Sequence, residues 1–592
     1  MKLLKTLKTY QDFLNLKKSD LNLLANEIRE YLIDLGYKKS IHWSSNLGIV
    51  ELSIALAYFF NLDQHKVFYD TSHQAYVHKM ITGRFDQMDS IRETNGLSGL
   101  QNMNESKYDF YAGGHTSNSL SVASGLVFSN ELLNNDQLIV PVIGDGSIAN
   151  GIAFEAINNI GFHKHKMIVV INDNQMSISE NFGEFNKMLS NLKDDDKNFF
   201  KQLGFSYIKV EDGHNLDAIF EGLEKAKQEV KNNPVIVHVK TIKGKGIKEA
   251  ENDLIGSYHN SNRTNKTYED QVGFAAAKYL DEKLKNNEKI CLINPAMTYA
   301  TGFINLINKY QKNYIDVGIS EEHALSMASG VSINKIPVFL PIYSTFLQRS
   351  YDQLIHDLSR LNLGINLLID RCGLNGTEGS SHHGIFDVGM IKNTPNSRIY
   401  AVSNPIVLER MINQATNNTD QVWAIRYPRY LEPFQNHEIY YKFNENINDW
   451  VKLNLFRILN RTALISYNNN ANIFKTLLDQ NGMAYIDSYD AILVHGEGLD
   501  QNIIQILNLY DEIYLYEDIY GNVGLANEFY RIMATHNYQN KKLIVYNFKQ
   551  IPEHGNNKDL LNELNMGHEQ VIEEIKKAHN HCDDQSVEIK RL

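Results

Sequence analysis

At 592 residues, 43% hydrophobic and 22% charged, the chain has the composition of an ordinary globular protein and exceeds what one hydrophobic core supports, so three or four domains or subdomains are expected. A net charge of -12 argues against nucleic acid or an anionic membrane as the main partner, while a locally basic pocket for a phosphorylated metabolite remains compatible with it. The three cysteines, Cys291, Cys372 and Cys582, are too far apart for a CxxC redox site and too few for a disulfide scaffold, and no run has the length of an apolar membrane span.

In chain order, the first 32 residues alternate Leu with Lys and Asp, which predicts an amphipathic helix with Leu21, Leu24 and Ile28 on one stripe. No signal peptide is visible, and a cytoplasmic location is expected. Residues 1–265 read as α/β, with the buried-strand runs LIVPVI (138–143), MIVVI (167–171) and PVIVHV (234–239) separated by helical stretches. The polar stretch 251–270 is a linker or covering loop. A second α/β unit over 280–440 has strands at 289–294, 336–343, 364–370 and 421–428. The stretch 443–454 reads as a second linker, and 455–592 as a mixed α/β unit with strands in AYIDSYDAILVHG, EIYLYED and KLIVYN and a loose polar tail after about 580. No short repeat is present, which rules against a solenoid.

The chemistry concentrates in LIVPVIGDGSIANGIAFEAINNIGFHKHKMIVVINDN. One buried strand ends at Ile143 before the turn Gly144-Asp145-Gly146-Ser147, and a second ends at Ile171 before Asn172-Asp173-Asn174. In a βαβ unit this sets Asp145 and Asn174 at the carboxyl ends of parallel strands, where open α/β sheets bind ligands. Hard oxygen donors there suit Mg²⁺ or Ca²⁺, with Asp145 and Asn174 as ligands and a backbone carbonyl near Met176 as a third. The glycines admit a phosphate to the backbone, and the following helix N-terminus helps neutralise it. GDG alone is a common turn; the second polar cluster is what gives it weight. No P-loop and no GxGxxG opening a helix are present.

GDG and NDN, with Asp145 and Asn174 separated by 29 positions, resemble the thiamine-diphosphate signature of transketolase-like enzymes. HWSSNLGIVELSIAL (42–56), YDTSHQAYVHKMITGR (69–84), NGLSG (95–99), GGHTSNS (113–119), NDNQMSIS (172–179), DVGISEEHAL (316–325), YSTFLQRSYDQLIHD (343–357), IDRCGLNGTEGSSHHGIFD (369–387) and RYPR (426–429) resemble, more narrowly, the 1-deoxy-D-xylulose-5-phosphate synthase family. The likeness is dense over 40–430 and faint over the last 150 residues. It implies three α/β domains with mostly parallel sheets, a homodimer, and one Mg²⁺-thiamine diphosphate per active site. It also implies decarboxylation of pyruvate, ligation of the two-carbon unit to D-glyceraldehyde 3-phosphate, and a product that feeds isoprenoid, thiamine and pyridoxal synthesis.

The resemblance assigns roles to residues. Glu321 contacts the aminopyrimidine ring, where a carboxyl in a poorly solvated pocket exchanges the proton that activates the cofactor. Outside the motif it is an ordinary first-turn carboxylate after Ser320. Phe346 stacks on the pyrimidine; Gly114, His115 and Thr116, with Gly146 and Ser147, lie at the diphosphate. His42 and His73 surround the cofactor and the pyruvate-derived carbon, and His259 and His382 reach the substrate side. Arg349, Arg371, Arg426 and Arg429, with Tyr343 and Glu378, are the sugar-phosphate contacts, the alternative for each arginine being a surface or interdomain ion pair.

Departures from the family pattern fall at Ile41, at Ser72 where a glycine is usual before His73, at Ile247 in place of a tyrosine, and at Glu378 in place of aspartate. The segment 180–240 is also shorter than the family's. These changes keep three alternatives in view: a transketolase, an acyloin synthase with another acceptor, and a non-catalytic interaction protein.

Overall fold

The computed structural model describes residues 2–261, 266–433, 437–442, 446–454 and 461–588. The chain forms two compact units, the first over 1–265 and 317–320, the second over 266–316 and 321–592. Among the described residues no helix is long and apolar enough to cross a membrane.

The first unit is built on β1 (Lys66–Tyr69), β2 (Ile139–Gly144), β3 (Ile168–Asp173), β4 (Ser206–Val210) and β5 (Val235–Lys240). They form an all-parallel sheet in the order β1-β2-β3-β5-β4. Side chains alternate between two cores. Val140, Val142, Val170 and Val237 face one, and Ile139, Ile143, Ile171 and Ile236 the other. Burial on both faces is what turns these strands into continuous apolar runs.

The expected stripe is present, on the helix Leu21–Lys38, which buries Leu21, Leu24 and Ile28 completely. The single helix expected over the first 32 residues is a correction, since the segment before it holds only the short turns Leu4–Thr6, Tyr10–Leu14 and Lys18–Asp20. At its end a Cβ on Gly36 would meet the Trp43 ring at 2.2 Å, and Trp43 Nε1 donates to Leu32 O at 2.9 Å. That close approach seats the chain beside His42. The stretch 251–261 is a covering loop: Asp253 accepts from Gly256 N–H and Tyr258 N–H, and Asn260 bridges His42. Residues 262–265 lie outside the described residues.

The second unit contains β6 (Cys291–Asn294), β7 (Tyr314–Asp316), β8 (Val338–Tyr343), β9 (Ile365–Asp370), β10 (Ser397–Ala401), β11 (Val422–Arg426), β12 (Val451–Lys452), β13 (Thr462–Ser466), β14 (Asp487–Asp490), β15 (Leu493–His495), β16 (Glu512–Tyr520) and β17 (Lys542–Phe548). A seven-stranded sheet runs β15-β10-β11-β9-β8-β6-β7, parallel except for β15 at its edge. A five-stranded sheet runs β12-β14-β13-β16-β17, parallel except for β12. The expected linker at 443–454 therefore contains an edge strand, and its residues 443–445 lie outside the described ones.

The tail read as loose after about 580 is a correction: the helix His568–Glu588 continues through it. Val571, Ile572 and Ile575 are buried against the third core, and that anchor nucleates a helix which its polar end merely extends. Residues 589–592 lie outside the described ones.

Candidate active site

The polar residues singled out in the first unit follow the carboxyl ends of its strands. Asp70 to His73 follow β1, Asp145 follows β2, Asn174 follows β3 and Lys243 comes shortly after β5. Asp145 opens the helix Asp145–Ile148, is 2% exposed, and accepts from Asn181 Nδ2 at 2.8 Å. Asn174 Oδ1 accepts from Met176 N–H at 3.1 Å, an Asx turn that folds the 174–176 backbone onto the side chain. A Cβ at Gly146 would lie 2.7 Å from Ser177 Cβ and 3.0 Å from Asn181 Oδ1, so only glycine lets these two turns close on each other.

Four residues that sequence reasoning missed complete this cluster: Asp173, Asn181, His238 and Lys243. Burial and the neighbouring Asp173 carboxylate hold the Asp145 carboxyl well above the ordinary carboxylate range. Burial alone would raise Asp173 too, but the His238 hydrogen bond, Nε2 to Oδ2 at 2.8 Å, holds it low. His238 is fully buried and its Nδ1 lies 2.6 Å from the Tyr207 hydroxyl. Lys243 Nζ donates to Ser177 O and to Ile178 O, and burial brings its ammonium down to about 8 against the pull of Asp145. The one available signal was a histidine inside an apolar strand, PVIVHV.

Two adjacent buried carboxyls with amide and backbone oxygens nearby are a donor set that a hard divalent cation would balance. Among the described residues no group of three or more His, Cys, Asp or Glu side chains has metal-holding geometry, so amide, backbone or ligand oxygens must complete any such site.

The structure brings His42, His73 and His259 together. Their ring centroids are 5.5 Å (His42–His73), 6.0 Å (His42–His259) and 5.6 Å (His73–His259) apart. His73 Nε2 is 3.1 Å from Ser45 Oγ, and Asn46 pins the backbone by donating to the carbonyls of His42 and His73. Ser72 keeps the left-handed conformation of a glycine, with φ of 63°, and its buried hydroxyl accepts from Gln101 N–H and Gly113 N–H, each at 3.2 Å. That ties the turn bearing Gly114, His115 and Thr116 to the His73 turn. Asp70 adds to the tie by accepting from Ser117 N–H and Ser119 N–H. Ile41 and Ile247 are buried, and Ile247 belongs to the core.

In the second unit the same logic places Tyr343 at the end of β8, Arg371 after β9 and Arg429 after β11. Glu321 is the first residue of the helix Glu321–Ile333 and is 5% exposed. Its Oε2 accepts no hydrogen bond, the Arg349 Nε lying 3.7 Å away. Burial pushes this carboxyl up to about 7, and Arg349 only partly opposes the rise. An orphaned, protonatable carboxyl oxygen fits a nitrogen-bearing ring as partner.

Tyr343 and Phe346 stack with centroids 5.5 Å apart at 4°, and His382 meets Phe346 edge-on at 5.6 Å. The Arg371 guanidinium lies 4.2 Å from the Tyr343 ring centroid and is paired with Asp370. Burial raises the Tyr343 phenol to about 12, with Arg371, Asp370, Arg429 and Glu378 all near enough to act on it. Arg371, Arg429, Tyr343, Glu378 and Phe346 with His382 are thus brought together.

Arg426 is not part of that group. It is fully buried; Nε donates to Asp387 Oδ2 at 2.9 Å, Nη2 to Oδ1 at 3.4 Å, and Nη1 lies 3.6 Å from Asp518 Oδ1. The ring of Tyr467 covers it at 5.3 Å.

Residues 4–198 match the 1-deoxy-D-xylulose-5-phosphate synthase family model, 129–290 the transketolase thiamine diphosphate binding domain, and 271–433 the transketolase pyrimidine binding domain. Strand-end carboxyls on a parallel sheet and a buried glutamate in the pyrimidine-binding region define the class, a transketolase-like thiamine-diphosphate enzyme. The 1-deoxy-D-xylulose-5-phosphate synthase of Malacoplasma penetrans is 40% identical over 96% of this chain and 98% of its own length. That of Alkaliphilus oremlandii is 32% identical over 97% and 99%. A solved transketolase from Campylobacter jejuni superposes with a TM-score of 0.44 at 15% identity, over 95% of this chain and 100% of that one. The chain belongs to the 1-deoxy-D-xylulose-5-phosphate synthase family.

Proposed function

We propose that this transferase uses Mg²⁺-thiamine diphosphate to decarboxylate pyruvate and ligate the two-carbon fragment to D-glyceraldehyde 3-phosphate, giving 1-deoxy-D-xylulose 5-phosphate and CO₂. The observation that carries the reading is Glu321, a buried carboxyl with an unbonded oxygen and a pKa near 7, beginning a helix in the pyrimidine-binding region. When bound, the cofactor supplies a nucleophilic carbon that takes up the keto acid and stabilises the carbanion left by CO₂.

The chain's own residues do the rest. Asp145, Asn174 and the Met176 carbonyl would hold the cation, and Gly114, His115, Thr116, Gly146 and Ser147 would receive the diphosphate on backbone and short polar groups. Glu321 would hold a proton at Oε2 for exchange with the aminopyrimidine, and Phe346 would support the ring. His42, His73 and His259 offer donors to the developing oxyanion from one cluster. Arg371, Arg429 and Arg349 with Tyr343 would take the acceptor phosphate, and Glu378 with His382 its hydroxyl and aldehyde end. The buried Asp387 pair leaves Arg426 to act as support for the β11 end.

The assembly is proposed as a dimer of identical chains with domains at 1–265, 280–440 and 455–592. The test is mass-spectrometric product analysis with Mg²⁺, thiamine diphosphate, pyruvate and D-glyceraldehyde 3-phosphate, each omitted in turn. Stoichiometric sugar and CO₂, lost in Glu321→Ala, support the reading. CO₂ without the sugar overturns the acceptor, and untouched pyruvate overturns the synthase.

A further inference from the structure

The loop 374–383 carries Glu378 and His382 and contains Gly376 and Gly379, with Gly373 and Gly384 at its base. Gly373 and Gly384 exchange two backbone hydrogen bonds of 2.8 Å, and Asn375 Nδ2 donates to Arg371 O at 2.8 Å and His382 O at 3.0 Å. These bonds close the base of the loop. Turns within the loop add Glu378 N–H to Asn375 O at 3.0 Å and His382 N–H to Gly379 O at 2.9 Å, and Thr345 Oγ1 donates to Ser381 O at 2.8 Å. These shape the tip locally, but a glycine-rich tip loses much chain entropy on being fixed and takes further anchoring from elsewhere.

The tip is held by a turn far along the chain, 552–557. Gly555 N–H donates to Gly376 O at 2.9 Å, Asn557 Oδ1 accepts from Gly376 N–H at 2.8 Å, and Asn557 Nδ2 donates to Leu374 O at 3.1 Å. The fit is close: a Cβ at Gly376 would meet Gly555 O at 2.3 Å, and one at Gly379 would meet His554 Cβ at 3.2 Å. His383, 1% exposed, bolts the other side. Its Nδ1 accepts from Asn375 N–H at 3.1 Å, which leaves the proton on Nε2 to donate to Pro552 O and Glu553 O, each at 3.1 Å.

We infer that the 552–557 turn is the brace that sets Glu378 and His382 for the acceptor, with Asn557 and His383 as positioning residues. The inference rests on the assignment of Glu378 and His382 to the acceptor side. Nothing in the bracing turn needs to touch substrate; it acts by fixing where the loop's side chains stand, to which carboligation is sensitive on the scale of an ångström.

Asn557 is exposed and belongs to no hydrophobic core, so its replacement is expected to leave the fold intact, which the melting temperature of the variant checks. In the holoenzyme, Asn557→Ala is expected to speed hydrogen exchange in 374–384 and raise the KM for D-glyceraldehyde 3-phosphate about tenfold, with the KM for pyruvate and the cofactor affinity unchanged. Asn557→Asp keeps the acceptor for Gly376 N–H and is expected to recover most of the loss, and His383→Gln to repeat the Asn557→Ala pattern. Unchanged exchange, unchanged acceptor KM, or equal rises in both KM values would overturn the inference. If the unsubstituted enzyme makes no sugar from this pair, the functional reading fails instead, and exchange in 374–384 alone decides whether the brace exists.

Discussion

Replacing Glu321 with glutamine should change how stability depends on pH, in a direction fixed by burial. The carboxyl stands at about 7 where 4.5 is ordinary, so the folded chain holds its proton over a range in which the unfolded chain has released it. For such a group stability is greatest below the unfolded value and is lost as pH rises through the folded one. Taking the two values, the loss between pH 5 and pH 8 is about 2–3 kcal/mol, on the order of a hundredfold in the opening equilibrium. Glu321→Gln has no proton to lose, so it escapes this loss whatever constant offset the amide brings. Urea unfolding of the cofactor-free chain at the two pH values, followed by hydrogen exchange of the peptide 321–333, measures it. The variant should gain about 2–3 kcal/mol on wild type between pH 5 and pH 8. Parallel pH dependences within ~0.5 kcal/mol would refute the claim that burial strands this proton.

Arg349 opposes the rise, so Arg349→Gln should move the alkaline limb of kcat/KM, where the Glu321 proton is lost, to higher pH; a stationary limb would mean that the 3.7 Å pair carries no weight. Ser72→Ala keeps the left-handed strain and strands two backbone donors, whereas Ser72→Gly strands them but relieves ~1 kcal/mol of strain. Calorimetric affinity for Mg²⁺-thiamine diphosphate should therefore fall about tenfold in Ser72→Ala and less in Ser72→Gly, and equal losses would refute the strain argument. Arg426→Met leaves the fully buried Asp387 unpaired and should cost ~3–5 kcal/mol of stability. Arg429→Gln should leave the melting temperature unchanged and raise the acceptor KM, and the reverse pattern would exchange the roles proposed for the two arginines.

The long apolar strands were legible because burial on both faces leaves an unbroken run, as in LIVPVI, MIVVI and GINLLID, and each lies within a residue or two of its expected place. The strands Lys66–Tyr69, Ser206–Val210 and Ser397–Ala401 were not, since each is only four or five residues and mixes polar with apolar positions. Their pairing is supplied by the neighbours β2, β5 and β11 rather than by their own pattern. Thr462–Ser466 is harder still: it is wholly buried between β14 and β16, yet TALIS is too short a run to stand out.

Within the site, residue type and strand-end position were readable, but direction was not. Arg426 and Arg429 stand three apart in RYPR, and nothing in that word tells which one turns into the interior. The difference arises from residues remote in sequence. Arg426 is the last residue of β11, where the alternation of the strand turns its side chain into the interior against Asp387, Asp518 and Tyr467. Arg429 lies beyond the strand, is only half-buried, and has its field on Tyr343 and Asp370. A buried arginine must meet carboxylates, and two of them converge on Arg426 from separate elements. The same dependence on distant partners hides His238, whose role exists only because β5 lies beside β3, and Asn557, whose role exists only because 552–557 returns to Gly376. A motif records which groups the chemistry needs; which copy of a repeated residue type supplies them is set by sheet order and by which carboxylates the fold buries nearby.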